Sequence, residues 1–188
     1  MTETSNSVAN SAIQLIGDNQ PAVTGYAPTF DSSPAGKALA QLYAPCVATV
    51  ARQHGWDFAR NTVALVLSGN TAPMPWTYEY LYPTNGVEVW ELMPATIDPN
   101  NPLPLNWNVA NALVSAVQTK VIQTDTASAV AVYNNSPSES TWDALFREAV
   151  VRLLASELAM ALAGRPDSAQ SLLESGSAFE SIGEARDD

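Results

Sequence analysis

A thiol and an imidazole are the first groups to weigh, because Cys46 and His54 are the only cysteine and histidine in the chain. A nucleophilic thiolate needs its base within hydrogen-bond reach. Eight residues of straight helix separate the two by about 12 Å. Cys46 therefore reads as a small core residue, and His54 as a helix-end residue favoured by the dipole. One histidine, one cysteine and scattered carboxylates show no metal-ligand spacing. A lone cysteine also allows no intrachain disulfide. Glu79, Glu88 and Glu91 lie on or near predicted strands, and a pair of them facing across strands would suit glycoside hydrolysis of a cell wall. Solvent-facing positions on an amphipathic sheet are the plainer reading. The chain has no Gly-rich phosphate loop, no GxSxG elbow and no basic patch, so no catalytic residue, cofactor or metal is assigned.

Composition narrows the partners. The 188 residues carry 19 acidic and 8 basic side chains, a formal net charge of −11. Such a balance repels phosphate backbones, which disfavours tight nucleic-acid binding but suits a wall past which a polyanion moves. Apolar residues make up 46% and charged residues only 14%, so part of the surface is expected to face protein. Residues 1–7 lack a basic stretch followed by an apolar one, and no run of about 18 apolar residues occurs. A soluble chain made in the cytoplasm, with no membrane contact, is expected.

The elements that would position these residues read as follows. Val8, Ala9, Ala12, Ile13 and Ile16 share a helical face that ends at Gly17. Ser33-Pro34 opens a second helix with Ala35, Leu39, Leu42, Tyr43, Cys46, Val47 and Val50 on one stripe, and Pro45 is expected to bend it or split it in two. Trp76 to Tyr82 and Val87 to Leu92 flank Pro83-Thr84-Asn85-Gly86 and read as an antiparallel hairpin. Prolines make Met93 to Leu105 a loop. Asn106 to Val114 suits strand or helix, and Val117–Gln123 with Ala127–Tyr133 reads as another hairpin. Ser136-Pro137 or Ser140 to Asp143 opens a long helix that Gly164 caps, and a weaker segment follows from Pro166. The expected architecture is α+β: a helical bundle with a long central helix and an inserted antiparallel β-hairpin or sheet region. It forms one domain, with N-terminal helices over 1–55, the β-rich insertion over 56–135, the long helix over 136–164 and a C-terminal arm over 165–188.

Five tryptophans stand at element junctions and on strands: Trp56, Trp76, Trp90, Trp107 and Trp142. Core packing is their ordinary use, and anchoring a subunit interface is the sharper one. Trp56, Trp76, Tyr78 and Trp90 are the candidates for either.

Several blocks occur in a familiar order. Leu15-Ile16-Gly17 is followed by Leu42-Tyr43, by His54-Gly55-Trp56-Asp57-Phe58-Ala59-Arg60, and by Pro75-Trp76-Thr77-Tyr78-Glu79-Tyr80-Leu81-Tyr82-Pro83. Trp142-Asp143-Ala144-Leu145-Phe146-Arg147-Glu148-Ala149 and Ala155-Ser156-Glu157-Leu158-Ala159 complete the series. In this order the chain resembles the phage head-to-tail adaptor (connector) family that includes tail tubular protein A, over roughly residues 8 to 185. The resemblance implies a structural virion protein, assembled in the cytoplasm of a bacterial host. Copies, a dodecamer by family, would form a ring between the portal protein and a tail or nozzle protein. The genome would pass through the channel during ejection without specific binding. By the same analogy the C-terminal arm, with Leu172, Leu173, Phe179 and Ile182 on one side, would dock on the portal. The alternatives are the cell-wall hydrolase and a cytoplasmic protein-interaction module unrelated to phage.

Overall fold

Thr4 and Ser7 start the first helix by capping each other: Ser7 N–H donates to the Thr4 hydroxyl oxygen, and Thr4 N–H donates to Ser7 Oγ at 3.0 Å. Helix α1 (Ser5–Ile16) ends where Gly17 takes a left-handed φ of 69° and returns its N–H to the Gln14 carbonyl. Ser33 caps α2 (Pro34–Gln53) by accepting from Gly36 N–H, with Pro34 in the first turn. The structure is a computed structural model that describes residues 3–17, 21–96, 105–136, 138–163 and 170–177. Two small strands, β1 (Gly25–Tyr26) and β2 (Thr29–Phe30), form a ribbon between α1 and α2. Asn10 holds the segment before them, donating to the Val23 carbonyl and accepting from Val23 N–H.

Pro45 does not divide α2, which runs unbroken for 20 residues. The proline is exposed, so the backbone donor it removes lies on the solvent side.

The chain forms two compact units, Met1–Ala59 with Ser136–Asp188, and Arg60–Asn135. In the first, α1 and α2 both pack on α3 (Ala144–Leu158). Phe146 is the hub of that packing. Its ring meets Trp56, Phe58 and Trp142 at centroid distances of 5.2, 5.1 and 4.9 Å, each tilted toward edge-to-face. Trp56 is fully buried, and its indole N–H donates to the Val50 carbonyl at 3.0 Å, satisfying an acceptor in the last turn of α2. Val8, Ala12, Ile13, Leu39, Val50, Val150 and Leu154 complete this core.

The expected helical bundle with a long central helix is not what forms. The helices are short and accompany three small antiparallel sheets. The predicted helix over 136–164 is a 3₁₀ turn at Glu139–Thr141, then α3, then a π-helical turn at Ala159–Ala163. Trp142 separates the first two because its backbone is extended. Asp143, rather than Ser136 or Ser140, is the cap, accepting from Leu145 N–H. Of the C-terminal arm, a short helix α4 over 170–177 is described. The expected Gly164 cap and the Pro166 start lie outside the described residues.

In the second unit β3 (Arg60–Ala64), β8 (Ala129–Asn135) and β5 (Gly86–Pro94) form one sheet in the order β3-β8-β5. The other sheet, ordered β4-β7-β6, is built from β4 (Tyr78–Leu81), β7 (Val117–Thr124) and β6 (Trp107–Val114). Neither predicted hairpin forms. β4 and β5 enter different sheets, so Pro83 to Gly86 turns a corner; β7 and β8 likewise part company. The hairpin that does form joins β6 to β7 through Ser115 and Ala116, both left-handed at φ 50° and 66°. These values suit a type I′ turn, which usually takes Asn-Gly. Tyr80, Val89, Leu92, Leu105, Ile122 and Ala131 form the unit's core.

Two measurements check this account. Phe146→Ala should cost about 3–5 kcal/mol in denaturant unfolding followed by tryptophan fluorescence, since three rings lose their common contact; a loss under about 1 kcal/mol would remove Phe146 from its central place. Replacing Ser115-Ala116 with Asn-Gly should raise the stability of the β unit by about 1 kcal/mol, because glycine and asparagine adopt φ > 0 at lower cost.

Candidate functional site

Glu79 is the most unusual ionisable group. It sits on β4 opposite Gln123 of β7 and is 3% exposed. Its carboxylate accepts from Ser68 Oγ at 2.8 Å, Asn70 Nδ2 at 2.9 Å and Gln123 Nε2 at 3.3 Å. Burial opposes ionisation, but the donors from Asn70, Ser68 and Gln123 together outweigh it and hold the carboxyl below its ordinary value. A carboxylate fixed in this way cannot serve as a proton donor near neutral pH. Its work is mechanical: it ties the segment around Ser68 to Asn70 onto the sheet. Main-chain bonds reinforce the tie, from Ser68 N–H to the Glu79 carbonyl and from Leu81 N–H to the Val66 carbonyl. Asn70 also reaches the Leu113 carbonyl at 3.1 Å.

The other predicted carboxylates stand elsewhere. Glu88 and Glu91 lie on β5, in register with Asn134 and Val132, while Glu79 belongs to the other sheet. No two of the three oppose one another across a strand pair. Cys46 is buried, and burial with the Glu157 charge pushes its thiol up to about 12, so it stays protonated at neutral pH. His54 forms the C-cap of α2, its ring edge-on to Trp56 at 5.0 Å. The intact helix between Cys46 and His54 keeps them apart. Among the described residues no group of three potential ligands could hold a metal ion, and no helix is long and apolar enough to cross a membrane.

The aromatic candidates divide. Trp56 belongs to the helical core. Trp76 and Tyr78 are half-buried, Tyr78 stacking on Tyr80 at 6.3 Å, and Trp90 is 37% exposed on β5. Trp107 packs against the β core. Of the proposed docking set, Leu172 is half-buried and Leu173 exposed on α4, which Arg152 anchors through a bond to Ser175 Oγ at 3.0 Å. Phe179 and Ile182 lie outside the described residues.

Sequence reasoning missed two features. One is an apolar hollow of about 230 Å³ lined by Pro28, Tyr43, Val47, Glu139 and Trp142 among others. Tyr43 donates its hydroxyl to Glu139 Oε1 at 2.9 Å, and burial with that negative partner raises the phenol well above its usual range. Three separate segments contribute to the hollow, so no local pattern announces it. The other is a set of exposed apolar side chains on the β unit: Val66, Leu67, Met74, Leu113 and Val117.

Glu79 also sets a pH dependence. In the unfolded chain it titrates near its ordinary 4.5, and the folded state holds it lower. Its stabilising contribution is therefore complete above that value and is lost as pH falls through the folded pKa. Glu79→Gln should destabilise the β unit by about 1–3 kcal/mol at pH 7, since an amide replaces one of the two acceptor oxygens with a donor facing a donor. It should also flatten the acid limb of a stability profile; an unchanged limb would show that the network does not hold the charge. No protein-family model matches the sequence, and no curated protein matches it either.

Proposed function

We propose that this chain is a structural virion subunit, a head-to-tail adaptor whose copies form a ring between the portal and the tail of a short-tailed phage. The observation that carries the reading is the ordered series of blocks from Leu15 to Ala159. Properties of the molecule are compatible with it. The β unit exposes Val66, Leu67, Leu113 and Val117, which is apolar surface available to a protein neighbour. A net charge of −11 suits the wall of a conduit for a moving polyanion. Glu79 and Cys46 are each held in the protonation state that makes them poor acid or nucleophile, and the carboxylates of β4 and β5 do not oppose one another, so nothing among the described residues favours the hydrolase reading. The C-terminal arm from residue 166 is the element assigned to portal docking.

Purified chain mixed with its portal complex and imaged by electron microscopy should give portal particles carrying an added ring. Particles without new density would overturn the proposal. Removing residues 166–188 should abolish ring addition; retention of full portal binding would remove the docking role from that arm.

A further inference from the structure

Strand β6 leaves one edge open. The two-residue loop makes Val114 and Val117 a hydrogen-bonded pair, and antiparallel alternation then turns Ala112, Ala110 and Asn108 toward β7. The Lys120 carbonyl, accepting from Tyr82 N–H at 3.2 Å on the far side of β7, fixes the same phase. The backbone N–H and C=O groups of Trp107, Val109, Asn111 and Leu113 therefore point away from the sheet. Asn70 takes the Leu113 carbonyl. Among the described residues no other partner meets these groups.

The two outer strands with long edges are treated differently. β5 is interrupted by register shifts between Gly86 and Glu88 and between Val89 and Glu91, carries both glutamates, and ends on Pro94. Bulges, charges and proline are the means by which proteins keep an edge from pairing. β6 has none of them: its register is continuous from Trp107 to Val114, without a charge or a proline. It lies inside the longest uncharged run of the chain, Pro99 to Thr119. At the tip, Leu113 and Val117 are 69% and 63% exposed.

Charge decides the occupant. Copies of a chain with a net charge of −11 repel one another, and they approach at least cost where neither carries charge. A basic partner finds no acidic group on this strip to recruit it, and a nucleic acid finds no basic one.

We propose that a strand of a second copy of this chain adds to the open edge of β6. It bonds the outward groups of Trp107, Val109 and Asn111, and packs apolar surface against Leu113 and Val117. The inference rests on the reading of the chain as a ring-forming subunit, and it names the surface by which neighbours join.

The test uses the full chain. Val109→Pro removes an outward N–H without touching the ladder to β7, so the sheet survives while the edge is blocked. Asn111→Lys guards the same edge with charge. Sedimentation velocity should show wild-type association that either variant weakens by at least about tenfold. Hydrogen exchange at the Val109 and Asn111 amides of the wild type should slow as concentration rises. A wild type that stays monomeric at every concentration overturns the proposal, as does undiminished association of both variants. Amide protection independent of concentration also overturns it, since the chain would then be covering its own edge. The two readings fail separately: variants that still build rings on the portal sink the surface alone. A wild type that self-associates through β6 but adds nothing to the portal sinks the connector reading alone.

Discussion

Phe146 and Trp56 hold the helical unit together by different means acting at one point. Phe146 is the ring on which Trp56, Phe58 and Trp142 converge. Trp56 adds the hydrogen bond from its indole to Val50, which allows the last turn of α2 to be buried without an orphaned acceptor. The chain leaving α2 and the chain starting α3 are thus locked to one another by aromatic area and one directed polar contact. With α3 fixed in this way, α1 has a surface to pack on. Arg147, next in sequence to the hub, then pins the N-terminus by pairing with Glu3 and reaching Ser11 Oγ at 2.9 Å.

The β unit solves the corresponding problem with polar groups. Its apolar residues, Tyr80, Val89, Leu92 and Ile122 among them, fill one side of the strands. On the opposite face of β4 the Glu79 carboxylate ties down the segment from Ser68 to Asn70, whose preceding residues pair along the strand's edge. A buried carboxylate without a cationic partner is costly. Three neutral donors offset that cost and fix a geometry that apolar contact alone would leave loose. The same arrangement withdraws Glu79 from solvent while keeping it ionised at neutral pH.

Much of the helical unit was legible because its signals are local. Gly17, Ser33 and Pro34 mark helix ends through backbone geometry that depends on few neighbours, and the stripe from Ala35 to Val50 shows which face is buried. Strand partners are a different matter. Alternation along Tyr78 to Tyr82 tells which side chains share a face, but it is silent on whether β5 or β7 lies alongside. The turn at Pro83 to Gly86 therefore looked like a hairpin when it is a corner between sheets. The actual hairpin was hidden because Ser115 and Ala116 lack the glycine or asparagine that usually marks left-handed residues. Competing caps near Ser136 and Ser140 suggested a long helix, and one extended residue, Trp142, was enough to move its start to Asp143. Glu79 looked solvent-facing because its cover comes from residues about ten positions earlier. The hollow beside Tyr43 needs segments far apart in sequence, and only the folded chain brings them together.

One register pair carries a consequence for how the chain folds. Arg60 lies in register with Asn134, so the first residue of the β unit is the strand neighbour of its last but one. Between α2 and α3 the sequence inserts the whole of Arg60–Asn135, a loop that must close before the helices can meet. Once the β unit has formed, its two ends are already together and only residues 54–59 and 136–143 remain to be closed between the helices. Loop-closure entropy scales as the logarithm of length, and this shortening relieves the helical unit of about 1.5 kcal/mol. The insertion is therefore a clasp as well as a surface: contacts within it hold its two ends together, and with them the chain leading to the two halves of the helical core.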